Sequence, residues 1–232
     1  MTPHPNFTVE KLMASYGALV AVREVSLSIE AGSRVGIFGH NGSGKSTLLK
    51  CLVGGVKTVS GMVHFGDAKI EPDLVHMNVR LGIGVVPQSR NVFPSLTVEQ
   101  CLRIAGMRGN NSRFEDVFEL LPLLKERRSQ RSGLMSGGEQ QMVAIGMALM
   151  TKPKALLLDE PTAGLSPVAA RNALDCLKNI NERTGMSIVL VEQNILNTLE
   201  MVQRAIVLRS GEIVFDGNSR ELANKEDLWS RF

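Results

Sequence analysis

Short apolar segments alternate along the chain with longer segments whose apolar residues recur every three or four positions. Residues 22–29 alternate apolar and polar side chains, which predicts a half-buried antiparallel strand. Run 155–158 is apolar at every position, so we expect a central parallel strand that is buried on both faces. Further short apolar runs predict strands at 35–38, 82–86, 187–191 and 205–208. This alternation predicts an α/β fold with a mainly parallel sheet and an antiparallel β-subdomain near the N-terminus.

Helical spacing replaces this pattern between residues 94 and 150. The clearest example is the recurrence of Phe114, Val117, Phe118, Leu121 and Leu124. Because this block interrupts the strands, we interpret it as an inserted helical subdomain. We therefore expect a single domain over 1–232, with an α/β core from 1–88 and 152–232 that includes the β-subdomain, and a helical subdomain from 89–151.

Composition narrows the function classes. Of the 232 residues, 44% are hydrophobic and 21% are charged, and the net charge of +3 is too small to indicate a nucleic-acid partner. No apolar run approaches the roughly 18 residues that span a bilayer, so a membrane role requires a partner. The dispersed Cys51, Cys101 and Cys176 predict reduced thiols and no zinc site. Trp229 is expected to anchor a terminal helix.

A glycine-rich segment fits the phosphate-loop pattern G-x-x-x-x-G-K-[ST]. Its residues are Gly39, His40, Asn41, Gly42, Ser43, Gly44, Lys45, Ser46 and Thr47. Glycines let the backbone aim several N–H groups at one anion, and a helix beginning near Lys45 favours phosphate at its N-terminus. We expect Lys45 to neutralise the β- and γ-phosphates of ATP and the Ser46 hydroxyl to bind Mg²⁺. The alternative is a glycine-rich turn that holds a lysine by chance.

Two acids, Asp159 and Glu160, follow the buried run 155–158. An acid at the carboxyl end of a central strand lies beside the phosphate loop in such folds. Asp159 is expected to hold Mg²⁺, directly or through water. Glu160 is expected to orient the attacking water and partly deprotonate it. The alternative is an exposed Asp-Glu pair that begins a loop.

A second glycine-containing segment carries a resemblance to a known family. Its residues are Leu134, Met135, Ser136, Gly137, Gly138, Glu139, Gln140 and Gln141. The segment resembles Leu-Ser-Gly-Gly-Gln, the signature of the ATP-binding cassette (ABC) transporters, with Met135 replacing leucine and Glu139 replacing glutamine. Over essentially its full length the chain is similar to the nucleotide-binding subunit of that family. The resemblance implies a P-loop NTPase core of the RecA-like type. It also implies that Ser136, Gly137, Gly138 and Glu139 meet the γ-phosphate of ATP held by a second subunit.

Other positions match the family individually. Tyr16 lies where the family stacks an aromatic ring on adenine, and Gln88 resembles the loop glutamine that contacts Mg²⁺ and water. Ser166 replaces the usual aspartate in a loop that crosses between subunits. Gln193 stands where a histidine usually contacts the γ-phosphate, so we expect it to take part in catalysis. The alternative for Gln193 is a cap on the helix beginning near Asn194.

The resemblance also implies partners. They are transmembrane permease subunits, a second ABC ATPase subunit, identical or paralogous, and a periplasmic or extracellular solute-binding protein. The chain is then peripheral on the cytoplasmic side of the inner membrane.

The sequence around the signature, with the runs 164–167 and 191–194, resembles the branched-chain amino acid importers, a type that also handles urea and short amides. Alternatives are a cassette for another cargo, including an exporter, and a regulatory subunit that hydrolyses ATP weakly. A soluble ABC protein of DNA repair or translation and a P-loop kinase fit less well. The repair and translation proteins usually carry long coiled-coil insertions or two cassettes, and neither is visible in this sequence. A P-loop kinase would not be expected to carry the signature segment.

Overall fold

The computed structural model describes residues 5–89, 91–107 and 114–223, so Trp229 lies outside the described residues. A six-stranded sheet forms its centre, in the order β10-β9-β3-β8-β7-β6. Its strands are β3 (Arg34–Phe38), β6 (Ile83–Val86), β7 (Ala155–Asp159), β8 (Ser187–Glu192), β9 (Arg204–Arg209) and β10 (Glu212–Asn218). Only β10 runs antiparallel to its neighbour within this sheet. The predicted mainly parallel sheet is confirmed, with β7 as an internal strand whose residues are all buried.

A second, four-stranded antiparallel sheet has the order β2-β1-β4-β5. It comprises β1 (Pro5–Tyr16), β2 (Leu19–Glu30), β4 (Thr58–Phe65) and β5 (Ala68–Lys69). Strand β2 is the predicted half-buried strand. The register of β1 shifts near Lys11, which adopts a left-handed φ of 44°. Such bulges bend a strand and increase its twist.

Helices cover both faces of the parallel sheet. They are α1 (Lys45–Cys51), α2 (Val75–Asn78), α3 (Val98–Gly106), α4 (Phe114–Leu120), α5 (Pro122–Glu126), α6 (Gly137–Leu149), α7 (Pro167–Thr184), α8 (Ile195–Leu199) and α9 (Ser219–Ala223). Helices α3 to α6 occupy the block of helical spacing. The apolar series from Phe114 to Leu124 is split at Leu121, because Pro122 cannot continue α4 but fits the first turn of α5. None of the helices in the described ranges is long and apolar enough to cross a bilayer.

Alternate side chains of each parallel strand enter different apolar clusters. On β8, Ile188 and Leu190 face a cluster formed with α3, α6 and α7, whereas Val189 and Val191 face α1 and the antiparallel sheet. Since both faces are covered, these strands are apolar throughout rather than alternating.

Strand order brings the candidate site together. β8 lies between β3 and β7, with Phe38 opposite Glu192 and Asp159 opposite Val191. The carboxyl ends of these three parallel strands therefore meet at one edge of the sheet, where ligands bind in open α/β folds.

Candidate nucleotide-binding site

The phosphate loop leaves β3 and enters α1. Gly39, Gly42 and Gly44 have φ values of 148°, 79° and 101°, a region that side-chain-bearing residues rarely adopt. At Gly44 a side chain would strike the carbonyl of Ala21, so the start of β2 packs closely on this loop. Helix α1 then begins at Lys45, as the motif predicts.

Lys45 is nearly enclosed, with 4% of its surface exposed. Its Nζ donates a 2.9 Å hydrogen bond to the carbonyl of His40, which holds the ammonium group across the loop. Burial lowers the pKa of Lys45, and the nearby carboxylates of Glu160, Asp159 and Glu192 oppose that effect. The loop thus holds a buried cation between backbone amides and three acids.

The environment of the Ser43 side chain indicates that the loop binds an anion. The Ser43 Oγ is buried and lacks a hydrogen-bond partner within the described part of the chain. A buried hydroxyl without a partner is costly, and a phosphate oxygen in the loop would accept a hydrogen bond from it. The residues present therefore fit a nucleotide phosphate.

Ser46 and Asp159 meet although they are 113 residues apart. The Ser46 hydroxyl donates a 2.7 Å hydrogen bond to Oδ1 of Asp159. A hydroxyl and a carboxylate are hard oxygen ligands of the kind that Mg²⁺ accepts alongside substrate phosphates and water. No group of three or more His, Cys, Asp or Glu residues that could hold a metal occurs in the described ranges. The pair fits a magnesium ion that is bound largely through phosphate.

Glu160 follows β7 in a strained conformation. Its φ is 48°, and its N–H donates a 2.9 Å hydrogen bond to the carbonyl of Val191. Both carboxylate oxygens are held, Oε2 by Nε2 of Gln88 at 2.6 Å and Oε1 by Nε2 of Gln193 at 2.8 Å. Left-handed residues of this kind persist where surrounding contacts over-determine them, often at functional sites.

Gln193 joins the acids to the phosphate loop. The same Nε2 that contacts Glu160 lies 2.6 Å from Oδ1 of Asn41. The N-cap position of α8 belongs to Asn194, whose side chain makes no capping bond. The amide of Gln193 therefore points to the candidate site and not to the end of the helix.

Tyr16 and Gln88 lie at the borders of this site. Tyr16 ends β1, pairs with Leu19 across a turn and is half exposed. The turn precedes Ala21, whose carbonyl packs on the phosphate loop at Gly44. Gln88 is exposed, and its amide contacts Glu160.

The signature segment forms a capping box at the start of α6. Ser136 donates to Oε2 of Glu139 through both its N–H, at 2.8 Å, and its hydroxyl, at 2.9 Å. These two hydrogen bonds lower the pKa of Glu139. Burial opposes the shift, and the nearby charge of Arg127 adds a smaller lowering effect. Glu139 thus presents a negative charge at a segment expected to meet phosphate.

Sequence reasoning missed Glu192 as a site residue. It is 2% exposed, and its Oε1 accepts hydrogen bonds from the N–H (2.9 Å) and hydroxyl (2.7 Å) of Thr162. Burial raises the pKa of Glu192, and the Thr162 bonds act against this shift. The available signal was an acid that directly follows the apolar run 188–191.

Residues 22–163 match the family model described as ABC transporter. Two curated proteins align over most of the chain. The high-affinity branched-chain amino acid transport ATP-binding protein BraG of Pseudomonas aeruginosa is 42% identical over 209 residues, which cover 88% of this chain and 89% of BraG. The probable branched-chain amino acid transport ATP-binding protein LivF of Archaeoglobus fulgidus is 38% identical and covers 93% of each chain.

Solved structures agree with this match. An ATP-binding cassette of an ABC transporter in its ADP conformation superposes with a TM-score of 0.87 at 26% identity, over 97% of both chains. A dimeric cassette in a post-hydrolysis state, bound to ADP and Pi, has a TM-score of 0.81 at 27% identity, over 92% of this chain and 99% of that one.

Proposed function

This chain belongs to the ABC transporter family, and from that premise we propose that it powers the uptake of branched-chain amino acids or related small polar solutes. It is an ATP-binding cassette, of the class that couples ATP hydrolysis to transport by a separate membrane permease. Two relatives that align over about nine tenths of the chain are named for branched-chain amino acid transport. Their names support the cargo that we propose.

One observation carries the proposed hydrolysis site: the Gln193 amide lies within hydrogen-bonding distance of both Glu160 and Asn41. The candidate base therefore lies against the loop that would hold the phosphates. We assign Glu160 as the general base for the attacking water and Gln193 as a neutral donor near the γ-phosphate. Lys45 neutralises the phosphates, with the amides of residues 39–47 around them. Tyr16 stacks on adenine.

Magnesium is the second ligand that we propose. Ser46 and Asp159 would hold it, since their oxygens are already adjacent, and the exposed Gln88 would complete that side of the site. When bound there, Mg²⁺ would neutralise part of the charge of the ATP phosphates. The protein's own part would be to orient the ion through Ser46 and Asp159, and to hold the Glu160 carboxylate in place through hydrogen bonds to its oxygens.

The assembly that we propose has two cassettes and two ATP molecules. The segment from Ser136 to Glu139 would contact ATP of the partner cassette, and the dimeric relative supports this arrangement. The core of residues 1–88 and 152–232 would bind nucleotide, and residues 89–151 would carry the signature. Further partners are transmembrane permeases and a periplasmic or extracellular solute-binding protein. The cassette would lie on the cytoplasmic face of the inner membrane.

Two measurements test this proposal. Purified full-length chain with Mg-ATP should release inorganic phosphate to water, with no labelled phosphate on any acceptor. Cells lacking the chain should lose high-affinity uptake of labelled leucine, isoleucine and valine. Loss of labelled urea or acetamide uptake instead would change the cargo assignment, and normal uptake of all these solutes would reject it. A chain that binds ATP but releases no phosphate, alone or with its permease, would be a regulatory subunit.

A further inference from the structure

A buried carboxylate lies beside the candidate base. Glu192 closes β8, whose six residues are all buried. In the chain it lies between Val191, whose carbonyl binds the Glu160 N–H, and Gln193, whose amide binds the Glu160 side chain. The site described above uses both of these neighbours, while the role of Glu192 is unassigned.

Thr162 donates two hydrogen bonds to the side chain of Glu192. Both donors of Thr162 converge on the single atom Oε1, at 2.9 Å and 2.7 Å. A neutral carbonyl oxygen in the same position could accept both bonds, because an sp² oxygen has two lone pairs. The negative charge of Glu192 is therefore not needed for its contact with Thr162.

Thr162 begins a chain of contacts that leads away from Glu160. The N–H of Ala163 donates to the carbonyl of Glu160 at 3.1 Å, and the N–H of Leu165 donates to the carbonyl of Thr162 at 3.2 Å. These bonds form the turn and the loop that follow the candidate base.

That loop then reaches the signature segment. A side-chain carbon added at Gly137 would lie 3.3 Å from Leu165, and one added at Gly138 would lie 2.9 Å from Ala169 near the start of α7. Residues 160–169 therefore run continuously from the candidate base to the segment expected to meet the partner's nucleotide.

We propose that Glu192 is a positioning residue for ATP hydrolysis, which holds Thr162 and thereby fixes both the turn that carries Glu160 and the loop that packs on the signature segment. The inference rests on the proposed function. It requires that loss of the Glu192 acceptor slows turnover while ATP binding is retained, because the phosphate loop keeps its own contacts. Residues that orient metal ligands typically contribute about 10- to 100-fold to activity, and we expect an effect on the same scale for Glu192.

The test uses the full-length chain with Mg-ATP and measures kcat and KM, together with the Kd of a fluorescent ATP analogue. Glu192→Leu removes the acceptor, and we expect kcat to fall by about 10- to 100-fold with Kd changed less than about 2-fold. Glu192→Gln keeps an acceptor oxygen and should retain kcat within about 3-fold of wild type. Thr162→Val should lower kcat, whereas Thr162→Ser should restore it.

The double variant separates positioning from general damage. Because Glu192→Leu already loses the hydroxyl bond that Thr162→Val removes, the double variant should be no slower than Glu192→Leu alone. Asn78→Leu is the matched control. Asn78 is also buried and hydrogen-bonded, to Val53 and Glu71. Losing these hydrogen bonds should lower the melting temperature of Asn78→Leu, while its kcat for ATP hydrolysis stays normal.

Several outcomes would overturn the inference. They are a Glu192→Gln variant as slow as Glu192→Leu, effects that multiply in the double variant, or normal kcat in Glu192→Leu. If Glu192→Leu does not fold, an equal kcat in Thr162→Val and Thr162→Ser overturns it instead. Failure of the proposed function is distinct: there, wild type releases no phosphate, or Glu160→Gln remains active.

Discussion

The side-chain amide of Gln193 lies 2.8 Å from Oε1 of Glu160, although the two residues are 33 positions apart. Gln193 follows β8 and Glu160 follows β7, and these strands are neighbours in the parallel sheet. A glutamine amide donates a hydrogen bond but does not titrate, unlike a histidine. The candidate base is thus held by a hydrogen-bond donor that stays neutral when the pH changes.

Removal of this donor should slow hydrolysis. We expect Gln193→Ala to lower kcat by roughly 10- to 1000-fold, the scale of losing one positioned donor. Steady-state phosphate release at saturating Mg-ATP measures the effect, and Asn194→Ala serves as the neighbouring control. An unaltered rate would mean that Gln193 does not act in the chemical step.

Replacing Gln193 with histidine should make the kcat for ATP hydrolysis depend on pH. An imidazole next to the Glu160 carboxylate gains a proton near pH 6.5 or somewhat above, because the negative charge favours the imidazolium form. We expect kcat of Gln193→His to change between about pH 6 and 7, where wild type is flat. Parallel pH profiles of the two proteins would contradict the contact between residue 193 and the base.

Glu160→Gln should separate binding from hydrolysis. The substitution removes the base but leaves Lys45 and the phosphate loop intact, so ATP remains bound and is not consumed. The ATP-bound dimer should then accumulate, since bound ligand stabilises the state that binds it. Size-exclusion chromatography with Mg-ATP checks this. A hydrolysis-dead variant that stays monomeric would count against both the base and the proposed dimer.

Lys45→Ala should weaken ATP binding strongly and abolish ATP hydrolysis. It removes the buried cation that faces Asp159, Glu160 and Glu192. Charge-assisted contacts to phosphate are among the stronger hydrogen bonds, so we expect ATP affinity to fall by at least about 100-fold. Lys50→Ala, an exposed position on the same helix, is the control. Fluorescent ATP binding measures the difference, and normal turnover in Lys45→Ala would reject the site.

The sequence could predict those parts of the fold that follow a regular pattern. The buried run before Asp159 and the spacing around Lys45 identified two strand ends, and parallel pairing then brings them together. Strand β1 was not predicted. Its bulge at Lys11 shifts the register, and this interrupts the alternation on which such a prediction depends. Strand β10 alternates exposed and half-exposed positions and contains no buried residue.

Contacts between distant side chains were harder to predict. The contact of Glu192 with Thr162 depends on how the loop after β7 folds back on β8, which no local pattern encodes. By contrast, the Ser136–Glu139 capping box has the local spacing S-x-x-E at a helix start, so the sequence contained the signal for it.

The same capping box should oppose the binding of phosphate by the signature segment. The hydroxyl of Ser136 donates to the Glu139 carboxylate, so it is not available to a phosphate until that bond breaks. Because the pKa of Glu139 is lowered from 4.5, the carboxylate is ionised at neutral pH. In the proposed dimer this charge would face the γ-phosphate of the partner's ATP and repel it.

Glu139→Gln should therefore favour the ATP-bound dimer. Glutamine preserves the capping box but removes the charge, and a single repulsion of this kind at a partly exposed site is worth about 1 kcal/mol. In the Glu160→Gln background we expect half-maximal dimer at about 3- to 10-fold less ATP than with Glu139 present.

The matched control is Glu212→Gln, which makes the same change of net charge on exposed β10 and should not change the ATP concentration for half-maximal dimer. The shift should also shrink as salt rises, because screening weakens repulsion between exposed charges. Dimerisation that required more ATP in Glu139→Gln would instead mean that the carboxylate, through its 3.9 Å ion pair with Arg127, orders the segment for binding.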